Sequence, residues 1–255
     1  MKKNKYKVNI SISSSAGIKK TNEDSSWVGF NTANQCLAIV CDGIGSEKNS
    51  EIASSTIVKT FKKYFEKTKC IYFPKYWFRK VLNIAYEELN NYASKLNINK
   101  DIGTTLVLTL LSGGVAYIFN IGDSRAYFYN IEFHSWNQET VDHNLYTFFL
   151  THNAPQSSYI KHKDNLLSLT NYISSNSTKR MNYSTKIVKF KVNDVFFLAS
   201  DGLYNYIDIN KINEVISTSR NKGFDTICPT LIKYALENQS NDNLTGIILE
   251  ISNLN

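Results

Sequence analysis

The chain has few of the residues that are typical of linkers, disulfide frameworks and thiolate metal sites. Its 255 residues include 3 prolines and 11 glycines, too few for long disordered linkers. The 4 cysteines show no CxxC spacing, which argues against a thiolate zinc site or a dense disulfide framework. No run of about 18 apolar residues occurs, and no apolar segment follows the N-terminal Met-Lys-Lys. We therefore expect a protein of the reducing cytoplasm with no membrane partner.

Arginine is scarce although the chain is basic. The formal net charge is +7, from 29 basic and 22 acidic residues, and 25 of the 29 are lysine. Recognition of nucleic-acid phosphates favours the bidentate guanidinium group of arginine. The 16 tyrosines and 14 phenylalanines suit a core better than a base-stacking surface. We therefore expect no nucleic-acid partner, and the 42% hydrophobic content predicts one domain over residues 1–255.

Acidic residues, by contrast, recur in short blocks along the whole chain. Most of these blocks stand next to a run of apolar, strand-forming residues. They are Asn22–Asp24, Asp42–Gly43, Gly122–Arg125, Ser200–Leu203 and Asp242–Asn243. Carboxylates at the ends of buried strands are rare unless they are paired or bind a metal. The array therefore predicts a site at which several chain segments bring acidic oxygens together.

Apolar periodicity predicts the elements that carry these blocks. Alternation indicates a half-buried strand over residues 5–13, and the continuous run Cys36–Cys41 indicates a strand buried on both faces. Apolar residues four apart predict helices over residues 50–67 and 75–96. Further strands are expected over residues 104–111, 115–121, 126–131, 185–192, 195–199 and 244–251, and further helices over 209–217 and 226–237.

Residues 151–185 have the weakest local preferences, because they are rich in Ser, Asn, Thr and His. They form either a mobile lid or a small subdomain. Two long helices between the second and third strands, followed by mostly antiparallel strands, predict an α+β layered domain.

The chemistry of the acidic array favours hard divalent cations. Asp42, Asp123, Asp201 and Asp242 offer oxygen ligands, and no Cys or His belongs to the pattern. Such a ligand set selects Mg²⁺ or Mn²⁺ over zinc. Two such ions about 3.5–4 Å apart can share a bridging hydroxide that serves as the nucleophile of phosphoryl transfer.

Over most of its length the chain resembles the metal-dependent Ser/Thr protein phosphatases of the type 2C class. The motifs that carry the resemblance follow that family's order. They are Gly17–Asp24, Asp42–Gly45, Glu51–Ser54, Gly103–Thr105, Gly122–Tyr127, Thr140–His143, Ser200–Leu203 and Asp242–Thr245. The implied fold is a central antiparallel β-sandwich flanked by helices on both faces, a four-layer α-β-β-α arrangement, with a flap over about residues 150–182.

The resemblance also implies a ligand set for a binuclear Mn²⁺ or Mg²⁺ centre. Asp42 would bridge the two ions, with the carbonyl of Gly43 on one of them. Asp201 and Asp242 would complete the shell of the first ion. A bridging hydroxide of this centre would then attack the phosphorus of phosphoserine or phosphothreonine directly.

Other residues of the motifs would support this centre. Glu23 and Asp24 would hold metal-bound waters. Asp123 would bind a third, weaker ion, although it could equally be a structural turn residue beside Arg125. Lys19 stands where the family usually has an Arg that binds the substrate phosphate. Because lysine lacks the bidentate guanidinium, we expect weaker phosphate capture.

Further departures from the family pattern limit what the resemblance implies. Ser46 follows Gly45 where the family is commonly glycine-rich. No His follows Asp42-Gly43, so the general acid proposed for some eukaryotic members is absent. His143 is expected to be packed or solvated rather than an acid or base. Residues 151–176 match the family poorly, so substrate specificity is not inherited from it.

The function implied is hydrolysis of phosphoserine and phosphothreonine in proteins. The expected partners are phosphorylated proteins, a cognate Ser/Thr kinase and the substrates of that kinase, and we expect a cytoplasmic monomer. Two alternatives stay open: a catalytically weak or inactive relative that acts as a binding scaffold, and a two-metal nuclease, which would suit the +7 charge.

Overall fold

The computed structural model of the protein describes residues 6–44, 49–96, 101–175, 182–219 and 223–253. Its helices are α1 (Ser50–Lys67), α2 (Pro74–Lys95), α3 (Leu145–Thr151), α4 (Gln156–Lys161), α5 (Asp201–Tyr204), α6 (Ile209–Ser219) and α7 (Ile227–Glu237). Its strands are β1 (Tyr6–Ser15), β2 (Ser25–Phe30), β3 (Cys36–Cys41), β4 (Gly43–Ile44), β5 (Gly103–Thr104), β6 (Leu106–Ser112), β7 (Val115–Ile121), β8 (Arg125–Asn130), β9 (Ser135–Gln138), β10 (Ile173–Ser174), β11 (Ser184–Lys189), β12 (Val195–Ala199) and β13 (Leu244–Asn253).

Two five-stranded antiparallel sheets form the centre of the described structure. The first has the strand order β1-β13-β12-β8-β9, and the second has the order β11-β7-β6-β3-β2. In the first sheet β1 pairs with β13 from Tyr6 opposite Asn253 to Ser15 opposite Leu244. A small third sheet, β10-β5-β4, stands beside them.

Three hydrophobic cores hold these layers together. Helices α1 and α2 pack on the second sheet, where the ring of Phe78 stacks on Phe119 with centroids 4.0 Å apart. Phe196 and Phe197 are neighbours in β12 whose side chains point to opposite faces. Phe196 lies in the core between the sheets, and Phe197 lies with Leu231 in the core under α6 and α7. The expected α+β fold, a sandwich with helices on both faces, is confirmed.

The two long helices form where the spacing of their apolar residues predicts them. Ala53, Ile57, Phe61 and Phe65 lie on one face of α1, and all four are fully buried. Helix α2 begins at Pro74, whose fixed φ and missing N–H suit the first helical position. None of the helices in the described part of the chain combines the length and the apolarity that a membrane span requires.

Several short strands and edge strands lack the apolar periodicity by which a strand is predicted from sequence. β2 is an edge strand of the second sheet, and β9 is an edge strand of the first. Their residues are half-buried or exposed, so they lack a clean alternation of apolar and polar side chains. Strands β4, β5 and β10 have two residues each, too few to produce a periodic signal.

The segment expected to be a flap is more regular than its composition suggests. It contains α4, which packs on the preceding α3 through the edge-to-face pair of Phe149 and Tyr159. A bridge between Asn144 and Leu169 closes the segment on itself. Residues 176–181 of the expected flap lie outside the described residues, and its action as a flap stays a prediction.

We predict that Phe78→Ala lowers the free energy of unfolding by about 3–5 kcal/mol, because it opens a cavity against Phe119 in a close-packed core. Urea denaturation measures this loss. Tyr76→Ala is the matched control on the same helix, since Tyr76 is 63% exposed and should change stability little. Equal losses in the two variants would contradict the assigned packing of α2.

Candidate metal centre

Pairing within the two sheets brings the acidic blocks to one end of the sandwich. Asp24 precedes β2 and Asp42 follows β3, which are neighbours in the second sheet. Asp201 follows β12 and Asp242 precedes β13, which are neighbours in the first sheet. Because the sheets pack face to face, carboxylates from four separate chain segments lie near one another.

Three of these carboxyl groups are close enough to interact electrostatically. They belong to Asp24, Asp42 and Asp201. Burial, followed by the charges of Asp24, Asp201 and other carboxylates, raises the pKa of Asp42 well above its ordinary value. Burial also raises the pKa of Asp201, with the charge of Asp242 as the next cause. Without a cation, the group therefore retains protons that isolated carboxyl groups would release.

Asp24 has one carboxyl oxygen that lacks a partner. Its Oδ2 accepts a hydrogen bond of 2.7 Å from the hydroxyl of Ser200. Its Oδ1 is buried and has no hydrogen-bond partner in the structure. Burial raises the pKa of Asp24 to about 6, although hydrogen bonds from Ser200 and Thr245 oppose the rise. An unpaired, buried carboxyl oxygen is costly unless a water or a cation satisfies it.

Asn243 fixes the loop that carries Glu23 and Lys19. Its side-chain Oδ1 accepts from the backbone N–H of Glu23 at 2.9 Å, and its Nδ2 donates to the carbonyls of Ala16 and Thr21, both at 3.0 Å. Asn243 is only 2% exposed, so these bonds are shielded from water. Asn243 follows the acidic Asp242, and an uncharged Asn in a loop carries no sequence signal that predicts this role.

Two serines hold the remaining acidic side chains in place. Ser50, the first residue of α1, donates its hydroxyl to the carboxylate of Glu23. Ser200 accepts from the backbone N–H of Thr245 at 3.0 Å while it donates to Asp24. Serines are common in turns and helix starts, so no pattern in the sequence distinguishes these two.

The glycines of the two Asp-Gly pairs are required by close backbone packing. A Cβ at Gly43 would stand 2.6 Å from the carbonyl oxygen of Ser50 and 2.7 Å from that of Glu23. A Cβ at Gly202 would stand 2.1 Å from the carbonyl oxygen of Asn243. Any larger residue would therefore push the carboxylate-bearing segments apart.

Lys19 contacts the carboxylates. Its ammonium group donates to the Asp242 carboxylate and lies 3.9 Å from an oxygen of Glu23. Burial would lower the pKa of Lys19, but the hydrogen bond and charge of Asp242, with Glu23 and Asp42, raise it. The side chains of Lys19 and Asp242 are 37% and 40% exposed, so substrate could reach both.

Asp123 lies near the cluster, and Arg125 does not pair with it. Arg125 forms a two-pronged ion pair with Asp142, with Nε–Oδ1 3.0 Å and Nη2–Oδ2 2.6 Å, and its guanidinium stacks 4.0 Å above the ring of Tyr204. The hydroxyl of Tyr204 donates to the backbone carbonyl of Asp123 at 3.1 Å. Burial, then the charges of Asp201 and Asp142, raises the pKa of Asp123 to about 7.

His143 is a packed structural residue in this structure. Its Nδ1 accepts from the backbone N–H of Gly122 at 3.1 Å, and its Nε2 lies 2.8 Å from the hydroxyl of Ser184. Asn171 Nδ2 also donates to Nδ1, at 3.0 Å. Burial lowers the pKa of His143, which favours the neutral ring. Both nitrogens therefore serve the fold and tie the flap segment to the turn before Asp123.

The small sheet joins the flap segment to Asp42. Thr104 of β5 pairs with Ile173 of β10 on one side and with Gly43 of β4 on the other. The hydroxyl of Thr104 donates to the Asp42 carbonyl at 2.8 Å, and Thr105 donates from its backbone N–H to that same carbonyl at 2.9 Å. A movement of the flap at Ile173 would therefore reach the backbone of Asp42.

The chemistry of the donor set fits hard divalent cations. Among the described residues, no group of three or more His, Cys, Asp and Glu side chains is already arranged to hold a metal. The unpaired Oδ1 of Asp24 and the all-oxygen chemistry favour Mg²⁺ or Mn²⁺.

A family model agrees with this arrangement of fold and carboxylates. The model described as protein phosphatase 2C matches residues 15–247, which is most of the chain. The chain belongs to the protein phosphatase 2C family. The motif Asp42–Gly45 resembles a motif of this family. Its last residue, Gly45, and the following Ser46 lie outside the described residues.

Relatives with curated names agree with the family model. A protein of Mycoplasma pneumoniae with a general protein phosphatase name is 35% identical over 246 residues, which cover 92% of each chain. The serine/threonine phosphatase Stp of Listeria monocytogenes is 27% identical over 239 residues, which cover 91% of each chain. These relatives match the chain at nearly full length.

Solved structures of the 2C family share the fold. Serine/threonine phosphatase Stp1 from Staphylococcus aureus has a TM-score of 0.80 and 26% identity, with 97% of this chain and 95% of that chain covered. The catalytic domain of PstP in complex with two manganese ions has a TM-score of 0.77 at 18% identity, with 96% and 99% covered.

We predict that Asp123→Asn stabilises the metal-free protein at pH 8 by about 1–2 kcal/mol, after allowance for solvent screening. The folded protein keeps a proton on Asp123 up to about pH 7, whereas the ordinary pKa is 3.8. Between these two pH values the unfolded chain binds fewer protons than the folded protein. The free energy of unfolding of the wild type therefore falls as pH rises from about 4 to 7.

Urea unfolding in EDTA at pH 4 and pH 8 measures this effect. The gain in unfolding free energy from Asp123→Asn should shrink at pH 4, because Asp123 then keeps its proton in the folded protein and leaves no buried charge there. Asp208→Asn is the control, because Asp208 is an exposed residue away from the cluster. An advantage of the same size at both pH values would show that Asp123 carries no buried-charge penalty.

Proposed function

We propose that this chain removes phosphate from serine and threonine side chains of proteins in a metal-dependent reaction. The observation that carries the proposal is the gathering of the buried carboxyl groups of Asp24, Asp42 and Asp201 at one end of the sandwich. Family membership over residues 15–247 and the phosphatase names of the relatives support the same activity.

The ions would be Mn²⁺ or Mg²⁺, two in each molecule. PstP, a protein of the same fold, binds two manganese ions. In this chain Asp42 and the Gly43 carbonyl, with Asp201 and Asp242, would hold the two ions, and Asp123 would hold a third, weaker one. When bound, the ions would activate water as the nucleophile and neutralise charge on the phosphoryl group.

The surrounding residues would orient the reactants. The free Oδ1 of Asp24 and the carboxylate of Glu23 would accept hydrogen bonds from ordered water. Lys19 would exchange its bond to Asp242 for a substrate phosphate oxygen once Asp242 engages a cation. Asn243 would keep Lys19 and Glu23 in their positions, because its side chain is hydrogen-bonded to the backbone of the loop between Ala16 and Glu23.

The biological setting follows from this chemistry. The substrates would be phosphorylated proteins, and a cognate Ser/Thr kinase with its own substrates would supply them. We propose that residues 1–255 form one catalytic domain, and that the protein acts as a monomer in the cytoplasm.

We predict that the protein hydrolyses a phosphothreonine peptide with Mn²⁺ and that EDTA abolishes the activity. Asp201→Asn should lower kcat by about a hundredfold or more, because it removes one anionic ligand from the centre. Release of inorganic phosphate measures both effects, and Asp208→Asn on the exposed surface is the control.

Each alternative function has its own outcome in this assay. Full activity in EDTA would refute the metal mechanism. No activity with any divalent cation would favour the binding scaffold. Degradation of DNA or RNA under the same conditions would favour the two-metal nuclease.

We predict that Lys19→Ala raises KM for the phosphopeptide about tenfold and changes kcat less, because a charge-assisted bond to phosphate is lost. Lys19→Arg should lower KM below the wild-type value, since the guanidinium binds phosphate through two donors. Saturating Mn²⁺ keeps metal binding constant during the assay. An unchanged or higher KM in Lys19→Arg would refute phosphate binding by Lys19.

A further inference from the structure

The far end of the α1–α2 hairpin carries the positive charge of the molecule. The hairpin tip, defined as residues 59–80, contains seven lysines and one arginine against a single acidic residue, Glu66. Its formal charge of +7 equals that of the whole chain, so the remaining residues are neutral in sum. All eight basic residues of the hairpin tip are exposed.

Three exposed aromatic rings lie in the hairpin tip. Tyr72, Phe73 and Tyr76 are 71%, 75% and 63% exposed. Tyr72 and Phe73 lie in the loop between the helices, and Tyr76 lies in the first turn of α2. Exposed rings among lysines form an amphipathic surface.

Buried hydrogen bonds hold the loop in this position. The side chain of Gln35, which is 4% exposed, accepts from the N–H of Ile71 at 2.7 Å and donates to the Ile71 carbonyl at 2.9 Å. Thr32 donates its hydroxyl to the carbonyl of Lys69 at 3.1 Å. The rings next to Ile71 therefore stand outward on a fixed backbone.

Neighbouring carboxylates neutralise little of this charge. Lys62 lies 3.9 Å from Glu66 and Lys63 lies 3.4 Å from Glu88. In the part of the chain that the structure describes, Lys67, Lys69 and Lys75 form no ion pair. The second sheet contributes no acidic residue where Thr32 and Gln35 contact the loop.

We propose that the hairpin tip docks on an anionic lipid surface. The rings of Tyr72, Phe73 and Tyr76 would lie at the level of the headgroups, while the lysines contact lipid phosphates. A polybasic patch and inserted apolar groups supply the two contributions that reversible membrane binding requires. This proposal departs from the expectation of no membrane partner, which rested on the lack of a long apolar run.

Features of the hairpin tip favour lipid over nucleic acid or an acidic protein. Its basic residues are lysines apart from Arg79, whereas phosphate recognition in nucleic acids favours arginine. The exposed rings of Tyr72 and Phe73 lie in a helix connection beside these lysines, where they can enter the headgroup layer of a membrane.

Docking in this way leaves the metal centre accessible. Ser50, which donates to Glu23, begins α1, and Lys67 ends it. At about 1.5 Å for each residue, these ends are about 26 Å apart. The hairpin tip and the carboxylates therefore occupy opposite ends of α1.

Flotation with vesicles tests the proposal on the full chain. The protein should float with vesicles of equal parts phosphatidylglycerol and phosphatidylcholine at low ionic strength, and less at high NaCl, because salt screens the lysines. It should not float with phosphatidylcholine alone. Lys69→Glu/Lys75→Glu should weaken binding about tenfold or more, since each lysine near such a surface contributes about fivefold.

Matched variants distinguish binding through the hairpin tip from binding that depends only on net charge. Lys189→Glu/Lys233→Glu changes the net charge equally at exposed sites elsewhere and should bind more tightly than Lys69→Glu/Lys75→Glu. Phe73→Ser should weaken binding severalfold, whereas Phe133→Ser, at a site 73% exposed, should not. Phosphopeptide hydrolysis or an unchanged thermal unfolding curve confirms that each variant folds.

Several results would overturn the proposal. One is failure of the wild-type protein to bind the anionic vesicles, and another is equal binding by the two double variants. Binding of tRNA or an acidic protein that depends on Lys69 and Lys75, without vesicle binding, would assign the surface to that partner instead. None of these results bears on phosphatase activity.

Discussion

The repulsion between buried carboxylates at one end of the sandwich governs the chemistry of this protein. Asp24, Asp42 and Asp201 lie close together, and burial raises the pKa of each. The ammonium group of Lys19 donates to the Asp242 carboxylate and offsets part of the charge. A divalent cation would compete with these protons and with Lys19, so its binding would be coupled to their release.

The fold can hold this unfavourable cluster because its stability lies elsewhere. The cores under α1 and α2, between the sheets and under α6 and α7 contain the large buried side chains. The site itself is held by short polar contacts, of which those of Asn243 and Ser200 are buried from water. Close backbone packing at Gly43 and Gly202 keeps the acidic segments at fixed positions.

Charge is distributed unevenly over the molecule. Acidic groups gather at the N-terminal end of α1, and lysines gather at its C-terminal end, where they continue into α2. The carboxylates attract cations, whereas the hairpin tip attracts anions. Helix α1 separates the two functions by its length, so a protein docked by the hairpin tip would direct its metal centre away from the surface.

Apolar periodicity and buried charge are local signals, so they predict the layered α+β fold, the long elements and the acidic residues of the candidate site without a structure. The partners of these residues depend on how distant segments pack in the folded protein. Arg125 pairs with Asp142 rather than Asp123, His143 serves the fold, and Asn243 holds the Glu23 loop. Such contacts join residues far apart in the chain, and the short and edge strands lack the periodicity that would reveal them.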